Sequence, residues 1–217
     1  MKIGFLCSIA ATIVWSLSAC QPTSSAKDEV RNREVRILTD DRKRFKEELE
    51  RLNDSSKVQV SIPDSARIIY ATSDDVLSLK NGIVLFGWPR CPWFRNAIEP
   101  LLEFAEEERA AIYYLNIYAI RDTKELQDGH VVTTKEGSTG YQSLLNRFHD
   151  ILNPYAALGI DSIKRISSPT VLYIENGQAV HKVVSTVLSQ TDPSQKLDTA
   201  QRTELKQRYR QYFLEDK

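Results

Sequence analysis

Apolar residues follow two rhythms along this chain. Short runs rich in β-branched and aromatic residues fall at 66–70, 83–86, 111–118, 170–175 and 178–184. Their length and composition predict strands. Between them, apolar positions recur at helical spacing. The longest such stretch predicts a helix from Pro92 to about Ala110, with Ala97, Ile98, Leu101, Leu102, Phe104 and Ala105 on its buried face. Pro92 suits the first helical position, because its fixed φ fits and its missing N–H is not needed there. Thr72-Ser73-Asp74-Asp75 caps a short helix that runs to about Lys80, where Asn81-Gly82 ends it. Asn176-Gly177 between the last two strands reads as a hairpin turn, and a charged helix from Thr199 to about Phe213 closes the chain.

Two stretches are less regular. Residues 28–57 are dense in charge of both signs, with Leu38, Phe45, Leu49 and Leu52 on one narrow stripe before Asn53-Asp54-Ser55-Ser56 stops the pattern. This predicts a charged amphipathic helix, standing as a solvated stalk or lying on the domain; it has too few heptads for a coiled coil. The crossing over 119–168 holds a break at Gly137 to Gly140 and a helix from about Tyr141 to Leu152, and is otherwise expected to be solvated loop. The order βαβαβ, a helical crossing, a hairpin and a final helix predicts an α/β domain over 58–217, with a central mixed sheet flanked by helices.

Composition adds a location. The chain has 217 residues, 41% apolar and 27% charged, with 29 basic and 29 acidic residues, so no charge excess points to nucleic acid. Residues 1–19 combine one early lysine, an apolar run and the sequence Leu17-Ser18-Ala19 before Cys20. The run is short for a spanning helix and lacks a basic stop-transfer flank. Leu-Ser-Ala-Cys resembles the lipobox of bacterial lipoproteins, which implies cleavage before Cys20, a lipid on Cys20 and a polar tether over 20–27. The domain is then expected on the extracytoplasmic face of a bacterial membrane, contacting it only through that lipid. With Cys7 removed and Cys20 blocked, Cys91 is the one free thiol left. His130, His149 and His181 are scattered, so no metal site is expected; no phosphate loop or serine elbow occurs, and nothing calls for a cofactor.

Cys91 falls where the strand ending at Gly87 gives way to the helix opening at Pro92. At the carboxyl end of a strand and the amino end of a helix, unpaired N–H groups favour an anion, here the thiolate. Arg90 and Arg95 add cations that favour it further. Trp88 and Trp93 flank the cysteine as an apolar platform or as local packing.

These residues resemble the thioredoxin superfamily. Phe86 followed by Cys91, Pro92, Trp93 and a helix is similar to its Phe-x-x-x-x-Cys-x-x-Cys signature. Ser168-Pro169-Thr170 before a strand and the Asn176-Gly177 turn is similar to its cis-proline loop. Gly-Trp-Pro-Arg-Cys-Pro-Trp resembles most an extracytoplasmic branch that includes bacteriocin-transport-accessory-like proteins, whose motif is usually Cys-Pro-Trp/Tyr-Cys. The resemblance implies dithiol–disulfide exchange at Cys91, and a loop at Ser168 and Pro169 that pairs with an extended substrate. This chain departs at Phe94, which stands for the resolving cysteine, and at Leu85, which stands for a buried aspartate. A mixed disulfide on Cys91 then needs an external thiol for release. Two functions are expected: a monothiol exchanger acting on cysteine-containing proteins, or a redox-inactive module binding an extended peptide.

Overall fold

Strand β2 (Gly82–Gly87) is the centre of the molecule: every residue from Ile83 to Gly87 is buried. A strand covered on both faces needs apolar side chains on both, and its pleat sends them alternately to the two sides. Ile83 and Leu85 enter one core, while Val84 and Phe86 enter the other. The computed structural model describes residues 38–215, and these belong to one compact unit.

Five strands form the main sheet in the order β1-β3-β2-β8-β9. Strands β1 (Ile68–Tyr70), β3 (Ile112–Asn116) and β2 run parallel, β8 (Thr170–Glu175) pairs antiparallel with β2, and β9 (Gln178–Val184) pairs antiparallel with β8. One face is covered by helix α1 (38–50), α3 (Pro92–Glu107) and α5 (Thr199–Glu215), the other by α2 (Ser73–Ser78) and α4 (Thr139–Arg147). The Ser168–Pro169 peptide is cis. Strand order, strand directions and this loop together make the fold thioredoxin-like, the architecture expected from the sequence.

The boundaries shift by a few residues. The strand expected over 111–118 is paired only from Ile112 to Asn116, and the helix expected to reach Ala110 ends at Glu107. Larger differences lie at the two irregular stretches. Of the two placements expected for helix α1, the stalk is excluded and the helix lies on the domain: Phe45 and Leu49 are fully buried in the main core, so the domain begins before residue 58. The crossing is not loop. It contains a ribbon of β4 (Thr123–Gln127) and β5 (His130–Lys135), then α4, and a second pair, β6 (Pro154–Tyr155) with β7 (Ile160–Lys164). The ribbon turns at Asp128-Gly129, both with positive φ, which a two-residue hairpin requires and which Gly accommodates freely.

No described helix is long and apolar enough to cross a membrane. The expected signal segment over 1–19, the lipidation residue Cys20, the tether over 20–27 and the first part of the charged helix lie outside the described residues.

Candidate functional site

The cysteine turn is built by the ends of β2 and α3. After Gly87 the chain reverses through Trp88 to Arg90, and the Cys91 N–H closes the turn on the Trp88 carbonyl at 3.1 Å. Cys91 is the N-cap of α3, with extended backbone and no capping bond from its side chain. Pro92 takes the first helical position and is exposed, as is Arg90. The Cys91 thiol donates to the carbonyl oxygen of Ser168 at 3.3 Å, so the helix start and the cis-proline loop meet at the sulfur. The thiol is enclosed, with Cys91 only 6% exposed.

Phe94 lies one turn into the helix and is completely buried. Its ring stands 5.7 Å from that of Tyr114 and lies over Gly87, where a β-carbon would come within 2.2 Å of it. The lack of a side chain at Gly87 makes room for the aromatic ring. Leu85 is also buried in this core. The floor beneath the cysteine is therefore apolar and filled.

Arg95 has a different task from the expected one. It is 2% exposed, and its guanidinium donates to the carbonyls of Val58, Leu49 and Pro89 and to the side-chain oxygen of Asn53. A buried guanidinium is costly unless its N–H groups find acceptors, and these four supply them. Arg95 thus ties α1 and the segment after it to the cysteine turn, rather than serving as a cation at the sulfur. Trp93 is half-buried against the main core. Trp88 is half-buried between the two cores and lines a cavity of about 310 Å³ together with Arg51, Pro89 and Arg90.

A larger cavity of about 650 Å³ opens beside the cis-proline loop, lined by Arg121, Tyr155, Arg165, Ser167, Ser168 and the segment from Asn153 to Ala157. Arg121 stacks 4.1 Å above the Trp88 ring, and Arg165 stacks 4.0 Å above Tyr155. Burial, and then the like charge of Arg165, pull Arg121 below the ordinary arginine value, and the Cys91 sulfur bears on it electrostatically. It stays a cation. Neither guanidinium forms an ion pair or a side-chain hydrogen bond among the described residues. Asp122 is fully buried next door, but its carboxylate meets Lys124 at 3.4 Å. Burial, then the Asp122 charge, push the nearby Tyr141 phenol up to about 12.

The structure thus brings Trp88, Cys91, Phe94, Ser168 and Pro169 together, sets Arg90 and Pro92 at the rim, and turns Arg95 to a packing role. Sequence reasoning missed Arg121 and Arg165. A signal existed for Arg121: it closely follows the end of β3, which runs parallel to β2, so it falls at the same sheet edge as Cys91. The histidines stay apart. His130 and His149 are exposed, and His181 packs against Tyr173. Among the described residues no group of three or more histidine, cysteine or acidic side chains could hold a metal.

The chain matches no family model and no curated protein. A solved structure, described as an oxidoreductase by assignment with a thioredoxin fold, matches 54% of this chain and 82% of its own length, at 16% identity and a TM-score of 0.35. That likeness is too loose to carry an argument about chemistry. The strand order and loop geometry of this chain carry the fold by themselves.

Proposed function

We propose that this protein performs thiol–disulfide exchange through Cys91 alone. The observation that carries the reading is the contact of the Cys91 sulfur with the Ser168 carbonyl, which sets the thiol against a loop able to pair with an extended chain. After the thiol proton passes to solvent, the thiolate attacks one sulfur of a partner disulfide. A Cys91–partner disulfide forms, and the other partner sulfur leaves as thiolate. Phe94 cannot resolve this species, so an external thiolate attacks it, regenerating the Cys91 thiolate and leaving with the partner as a new disulfide. Leu17-Ser18-Ala19-Cys20 supports a lipid on Cys20 that holds the domain at the extracytoplasmic membrane face. Cys20→Ser is then expected to move the protein out of the membrane fraction.

The decisive experiment traps mixed disulfides with acid, from cells carrying the wild type or Cys91→Ala, and resolves them on non-reducing gels. Adducts that disappear in Cys91→Ala and on reduction support exchange. A thiol that iodoacetamide fails to alkylate below pH 8, with no Cys91-dependent adducts, defeats it.

A second reading is a redox-inactive module that binds an extended peptide beside Pro169. The enclosure of the thiol and the ring of Phe94 beneath it favour this reading. It expects Cys91→Ser to capture the same partners as the wild type, and loss of capture in that variant would sink it.

A further inference from the structure

The cavity beside the cis-proline loop holds two cations with no protein acceptor. Arg121 and Arg165 stack their flat faces on Trp88 and Tyr155, which fixes the planes and leaves the N–H edges to the cavity. Such an edge matches a carboxylate in two parallel hydrogen bonds. Bringing two like charges to one partly buried wall is unfavourable until an anion arrives. Ser168 borders the cavity, while its hydroxyl oxygen is buried toward Gly87 and is not offered to a ligand there. The Ser168 carbonyl receives the Cys91 thiol, so the same residue borders both cavity and sulfur. A volume of about 650 Å³ lies within the range of small-molecule sites.

We propose that the cavity walled by Arg121, Arg165 and Ser168 binds the carboxylates of a small acidic thiol or its disulfide, placing that sulfur at Cys91. Resting on the exchange reading, this identifies the chemical class of the external thiol that Phe94 makes necessary. The thiolate of the bound molecule attacks the Cys91–partner disulfide, forms a disulfide with the partner sulfur and returns Cys91 as thiolate. No further oxidant or reductant enters the step.

Two measurements on the full chain test it. The first is independent of exchange: Cys91→Ser is titrated with S-methylglutathione, a dicarboxylate without a free thiol, while the Trp88 indole N–H resonance is followed. Saturable movement of that resonance is expected, with affinity falling about tenfold in Arg121→Gln or Arg165→Gln, the factor for losing one charge-assisted hydrogen bond, and partly recovered in Arg121→Lys. Thermal melts establish that the variants are folded. Absence of binding, or equal binding by the arginine variants, overturns the proposal.

The second compares rates of Cys91 with dithiobis(2-nitrobenzoate), hydroxyethyl disulfide and cystamine at high salt. Cys91→Ser serves as the blank for Cys7 and Cys20, and each rate is divided by that of the urea-unfolded chain. The dianionic reagent is expected to gain about tenfold over the neutral one, and each arginine variant to lose that gain. Arginine-dependent binding without reaction at Cys91 would uphold the pocket and overturn the exchange reading. Reaction with all three reagents at equal normalised rates would uphold exchange and overturn the pocket.

Discussion

At Gly87 and Phe94 two residues share one space, because a β-carbon on the first would press 2.2 Å from the ring of the second. Gly87→Ala is therefore expected to destabilise the protein by about 1–3 kcal/mol through overpacking. In a Phe94→Leu background the same change should cost much less, and urea melts of the four proteins measure the coupling. Additive costs would show that the two positions do not compete for space. Phe94→Cys bears on chemistry as well. It is expected to lose about 3 kcal/mol with the ring and to gain an internal disulfide between the N-cap and the third helical residue, visible as catalysed reduction of insulin that the wild type lacks. The places of Cys91 and Pro92 at the start of α3 were legible in the sequence because they follow from neighbours within one turn. Arg95 was not. Two of its acceptors are 37 and 46 residues away, and no local pattern announces that the chain returns to that side chain.

Helices α3 and α5 are joined by a ladder in which Glu99, Glu103 and Glu107 meet Arg202, Lys206 and Arg210, and Lys196, just before α5, adds a second cation to Glu99. Glu99 is the enclosed rung. Burial alone would raise its pKa, but hydrogen bonds from the Ser61 N–H, Arg202 and Lys196 outweigh this and hold the carboxyl below the ordinary glutamate value. A carboxyl depressed on folding contributes stability that is present above its unfolded value of 4.5 and lost as pH falls through the folded value. Acid melts should accordingly steepen below about pH 4.5, and Glu99→Gln should flatten that limb while lowering stability near neutrality. An unchanged acid limb in the variant would remove Glu99 from this role. The legibility of elements followed burial. Strand β2 and helix α3 announced themselves because a buried surface demands an apolar rhythm. The β4–β5 ribbon is largely exposed, so its residues are free to be polar and the rhythm fades. Its Asp128-Gly129 turn was the surviving local signal.

For the molecule as a whole, α1 changes what counts as the domain. Phe45 and Leu49 fill the same core as Leu85, Phe94 and Tyr114, and the Phe45 ring meets Tyr114 edge-on at 5.0 Å. A chain beginning at residue 58 is expected to lack a cooperative thermal transition, whereas Phe45→Ala in the full chain should still fold but lose about 3–5 kcal/mol. Circular dichroism melts distinguish the two, and a cooperative transition in the shortened chain would restore α1 to an appendage. The Arg95 guanidinium carries this dependence to the chemistry. One side chain holds the carbonyls of Leu49, at the end of α1, and of Pro89, in the cysteine turn. Detaching the first leaves Arg95 half-released from the second, so the two segments are joined as parts of one opening event. In native-state hydrogen exchange, amides of α1 and the Cys91 amide should exchange with a common free energy, and Arg95→Met should separate them. A pull on the amino-terminal helix would then loosen the turn that holds the thiol, which makes that sulfur's shelter a mechanical property of the chain that precedes it.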